Sequence, residues 1–101
     1  MKARPIIKRN QPIEFPVLAQ WTFNGEDIKD CIVLFKENKL GIAVVHKNPN
    51  HYKEFTSAWV PLDWKEMGKR SWKILGSPKL FGISLTEDKS HWTGTFDMSK
   101  L

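Results

Sequence analysis

Three histidines, one cysteine and eleven acidic residues are the groups in this chain able to carry catalysis or bind a metal, and their spacing argues against both. None of His46, His51 and His91 pairs with another at the helical spacing, with an acid between them, that a zinc protease uses. His46 and His51 flank the loop Asn48-Pro49-Asn50, so a hairpin can bring them together. Two ligands without a third at a motif distance do not make a site, and solvated loop histidines account for them more fully. Cys31 opens the apolar run Cys31–Phe35, where packing is expected, whereas a nucleophilic thiolate needs an exposed, charge-stabilised setting. Asp63 with Glu66, and Glu26 with Asp27 and Asp30, lie among polar and basic neighbours that would not drive their pKa values apart, as acid–base work requires. Phosphate loop, dinucleotide glycine fingerprint and serine elbow are all missing, since Gly76-Ser77-Pro78 lacks the flanks of a strand-to-helix turn. The expectation is a chain with no catalytic residue, no cofactor and no metal.

Tryptophan and lysine carry more information. Five indoles, Trp21, Trp59, Trp64, Trp72 and Trp92, are more than a small core needs, and a buried indole wants a partner for its N–H. The segment from Trp64 to Lys73 interleaves rings with cations, which lets a protein stack bases while pairing with phosphates. This marks Lys65, Lys69, Arg70, Trp72 and Lys73 as a binding surface for single-stranded nucleic acid. The net charge of +5 is concentrated in that region and at the start of the chain, where Arg4, Lys8 and Arg9 have no acid among them. Against this stands ordinary packing, with Trp72, Ile74 and Trp92 facing the core and lysines solvating the other side. Of the sixteen basic residues only Arg4, Arg9 and Arg70 are arginine, and lysine-rich charge is more typical of solvated faces than of base readout.

The elements that must position these residues read as short strands. Residues 1–14, with Pro5 and Pro12 among basic residues, read as a basic extended arm, and 15–101 as a single β-rich domain. Phe15, Val17, Ala19, Trp21 and Phe23 alternate with Pro16, Leu18, Gln20 and Thr22, the pattern of a half-buried strand with Pro16 at its start or edge. Asn24-Gly25 supplies a tight turn in a loop expected to reach Asp30. Cys31–Phe35 suits a central strand, and Gly41 and Ala43 in the next one suggest close approach of a neighbour. Further strands are expected over 52–60, 70–75, 80–85 and 92–96, with one short helical turn near 61–68 announced by Pro61 and closed by Gly68. The result is an all-β chain, a small antiparallel barrel or sandwich of SH3-like or OB-like type.

The succession Phe15-Pro16-Val17-Leu18, Ile32-Val33-Leu34-Phe35, Gly41-Ile42-Ala43-Val44-Val45 and Thr56-Ser57-Ala58-Trp59 resembles short β-rich proteins encoded by bacteriophages and without assigned function. It spans residues 15 to 60 in structural positions and carries over no site. The resemblance implies a viral or mobile-element origin and action in the host-cell cytoplasm. A single cysteine excludes an internal disulfide, and no apolar run approaches a membrane span. Two classes of partner remain. One is nucleic acid, single-stranded in preference, bound without catalysis. The other is a host protein or complex, modulated through exposed aromatic anchors with a basic rim. An unpaired edge at Phe15–Phe23 would also serve a homodimer.

Overall fold

Alternation from Val17 to Phe23 does produce a strand, β1 (Val17–Phe23). The computed structural model describes residues 13–63, 65–66 and 70–101. Asn24 and Gly25 adopt φ 53° and 82°, the left-handed pair that a two-residue hairpin needs, so Phe23 faces Glu26 directly. The next strand, β2 (Glu26–Phe35), therefore begins at once, and the loop expected to reach Asp30 does not form. β3 (Gly41–His46), β4 (Lys65–Glu66) and β5 (Arg70–Gly76) complete a sheet of order β3-β2-β1-β5-β4, with every neighbouring pair antiparallel. A hairpin of β6 (Ile83–Leu85) and β7 (Trp92–Gly94) forms a second, two-stranded sheet.

The all-β expectation holds, but several elements differ from the pattern read along the chain. β1 is central, paired with β2 on one side and β5 on the other, so it is buried on both faces and offers no edge to a second copy. A period of two assigns faces; it does not say how many neighbours a strand has. Residues 52–60 are not a strand. A 3₁₀ turn, Pro49–Tyr52, leads into an irregular strap whose backbone joins the sheet at an isolated bridge, Gly41 with Thr56. The helical turn expected near 61–68 is replaced at 65–66 by β4, whose backbone pairs with Arg70 and Ser71. One or two isolated helical turns cannot match that pairing, because nucleation is costly. The strand expected from Leu80 begins only at Ile83, after a 3₁₀ turn at Pro78–Phe81 capped by Ser77.

Each face of the large sheet has its own core. On one, Leu18, Ile32, Leu34, Ile42 and Val44 pack against Phe81 and Ile83 of the C-terminal layer, with Trp92 and Phe96 at the margin. Within that layer Gly94 lies so close to Gly82 that a Cβ there would overlap the Gly82 carbonyl, which is why β7 can lie tightly against the start of β6. On the other, Val17, Ala19, Val33 and Phe35 receive Leu62 from the strap and Trp72 from β5. The outer edge of β3 is closed by side chains. Trp59 Nε1 donates to the Gly41 carbonyl at 3.0 Å, Trp92 Nε1 to that of Ala43 at 2.9 Å, and the Tyr52 hydroxyl accepts from His46 N and donates to His46 O. An edge blunted in this way cannot template another strand. Among the described residues no helix is long and apolar enough to cross a membrane.

A candidate ligand cleft on the strap face

Beyond the strap, the second face opens into a cleft of ≈ 440 Å³ lined by Trp21, Asp30, Cys31, His46, Lys47, Trp59 and Trp72, among others. The pairing of β1 with β5 sets Trp21 opposite Trp72, and their rings meet edge to face at 4.8 Å. Trp59 joins them from the strap, 6.3 Å from Trp72. Across the cleft, β2 swells. Gln20 faces Ile32 but Thr22 faces Asp27, so two steps along β1 answer five along β2 and three extra residues bulge outwards. Gln20, only 2% exposed, donates from Nε2 to the carbonyl of Ile28 within that bulge. The bulge leads into Asp30 and Cys31 at the cleft rim, where Lys47 pairs with Asp30 at 3.3 Å.

The polar groups of the cleft are largely neutral or paired. Burial pushes the Cys31 thiol up to about 11, and the adjacent Asp30 charge adds to this, so at neutral pH it is a thiol with little nucleophilic character. His46 is Cα partner to Cys31 across the strand pair. Its Nδ1 accepts from Asn48 N at 3.0 Å, which leaves the ring proton on Nε2. Burial lowers its pKa, with nearby His51 and Lys47 adding to the effect against Asp30. The rings of His46 and His51 do come together, 4.6 Å apart, and His51 lies 4.8 Å from Trp59. Among the described residues, however, no three His, Cys, Asp or Glu side chains converge to hold an ion.

The residues singled out by the sequence are described only in part, and Trp72 and Lys73 among them point to opposite faces. Arg4, Lys8, Arg9, Trp64 and Lys69 lie outside the described residues, and Lys65 is placed only as a residue of β4. Trp72 is 8% exposed, packs against Phe35 as well as Trp21, and donates from Nε1 to the Val60 carbonyl at 3.0 Å. It forms the floor of the cleft and not an open stacking surface, because the strap lies over it. Lys73, next along the strand, points to the opposite face and pairs with Asp27 at 2.9 Å. Adjacent residues of a strand point to opposite faces, so a ring and the cation next to it are parted. Arg70, exposed at the start of β5, alternates to the same face as Trp72, two residues or about 7 Å away. Trp21 and Trp59 were legible only as surplus indoles, since nothing local ties either to Trp72. No protein-family model matches the chain, and neither a curated protein nor a solved structure matches it.

Proposed function

We propose that the protein is a non-catalytic binding module for single-stranded nucleic acid, seating one base in the cleft between Trp21, Trp59 and His46 above the floor formed by Trp72. The observation that carries this reading is the convergence of three indoles on one open cleft, on the sheet face that also bears Arg70. Aromatic surfaces accept any base, and the volume is in the range of small-ligand sites. Phosphates beside that base would meet Arg70, within a chain of net charge +5. The resemblance to bacteriophage proteins would set this binding inside a host cell. Tryptophan fluorescence titration with short single-stranded DNAs at two salt concentrations tests the reading. Trp59→Ala should weaken binding by about 1–3 kcal/mol, the usual worth of one stacked base, and affinity should fall with salt. Unchanged affinity in Trp59→Ala would remove the cleft from the interface.

One feature favours a protein partner as the second reading. Phe23 and Ile74 alternate to the cleft face from β1 and β5 and remain 45% and 43% exposed, apolar shoulders that a nucleic acid does not require. A pull-down from nuclease-treated host lysate would then recover one stoichiometric protein, and truncation of Phe23 would abolish the recovery.

A further inference from the structure

The indoles around the cleft contribute ring surface but little polar recognition. Trp59 and Trp72 have both turned their N–H groups inward, to the carbonyls of Gly41 and Val60. Lys47 and Asp30 answer each other. His46 is different: its Nδ1 is engaged by the backbone of Asn48, its ring lies 5.7 Å from Trp59, and no described residue accepts the proton on Nε2. We propose, on the reading that a base occupies the cleft, that His46 is its specificity-determining residue, donating Nε2–H to an acceptor on the edge of the bound ring. The Asn48-Pro49-Asn50 turn is thereby a positioning device. It fixes which imidazole nitrogen carries the hydrogen, and so which edge of a base is complementary.

Acid should undo this arrangement. A second proton on His46 would sit on Nδ1, facing the Asn48 N–H donor to donor, and the ring would have to turn out of place. The groups facing it are Asp30 and Cys31 from β2, Lys47 beside it, His51 and Tyr52 from the 3₁₀ turn, and Trp59 from the strap. Asp30 favours the charged imidazole, whereas burial, His51 and Lys47 oppose it. Base recognition should therefore be intact at neutral pH and be lost as pH falls through and below the ordinary histidine range.

The test compares the affinities of the full chain for short single-stranded homopolymer DNAs, at about pH 7 and about pH 5, in wild type, His46→Phe, His46→Gln and Trp59→Ala. Wild type should prefer one homopolymer by about fivefold, the worth of one hydrogen bond, and lose that preference in acid. His46→Phe should bind with the preference gone at both pH values. His46→Gln, which keeps an N–H donor that does not titrate, should retain the preference and show no acid loss. A wild type without preference, or His46→Phe with the wild-type preference and pH profile, overturns the inference while the cleft reading stands on the loss in Trp59→Ala. Unweakened Trp59→Ala overturns the reading itself and the inference with it.

Discussion

The two faces of the large sheet are built to different ends. The face under the C-terminal layer is closed. Aliphatic residues from three strands interlock with Ile83 and Phe81, Phe81 stacks on Phe96 at 5.2 Å and 8°, and Gly82 and Gly94 let the covering layer close tightly on itself. The face under the strap is packed only along part of its length. Val17, Ala19, Val33 and Phe35 are covered by Leu62 and Trp72, but past Trp59 the covering ends and the rings meet edge to face around open space. Aliphatic side chains and stacked rings can fill a volume, whereas perpendicular indoles hung from backbone carbonyls leave gaps between their faces. One face thus holds the fold together, and the other presents a ligand-sized recess on a rigid support.

The sharpest way to break this contrast is to compare truncations on the two sides. Phe81→Ala should cost about 3–5 kcal/mol in urea unfolding, because it removes a buried ring and its stacked partner contact. Trp59→Ala, at a half-buried ring, should cost roughly half as much while abolishing most ligand binding. Equal stability losses would mean that the strap face is as structural as the other. The cations sharpen the same contrast. Arg70→Ala should reduce the slope of log affinity against log salt by about 0.7, the value for one phosphate of a single strand. Lys73→Ala should change it far less, since Lys73 lies on the other face and is paired with Asp27. The smallest effect is chemical. Cys31 should alkylate much more slowly in the native chain than in urea at about pH 8, with the native rate rising only towards its thiol pKa of about 11.

Local signals carried well where the chemistry is local. Asn24-Gly25 is a turn because these two residues tolerate left-handed backbone, and Cys31–Phe35 is a covered strand because its β-branched and aromatic residues have no polar face. Gly41 marks a close approach, since a Cβ there would press on Val33 and Phe35. The sequence also placed rings and cations side by side from Trp64 to Lys73. Strand geometry then parted Trp72 from Lys73, and the strap that covers Trp72 lies in a stretch, Tyr52 to Val60, whose alternation reads as another strand.

By itself the sequence determined an all-β chain, its main turns, its surplus of indoles and its segregated positive charge, all of which follow from residue type and short-range periodicity. Tertiary structure alone decided that β1 is central, that the edge of β3 is closed by Tyr52, Trp59 and Trp92, and that Trp21 meets Trp72 across 51 positions. The reason is physical. Alternation fixes the face to which a side chain points, but the choice of neighbouring strand depends on burial summed over the whole sheet, and the cleft exists only where those choices meet.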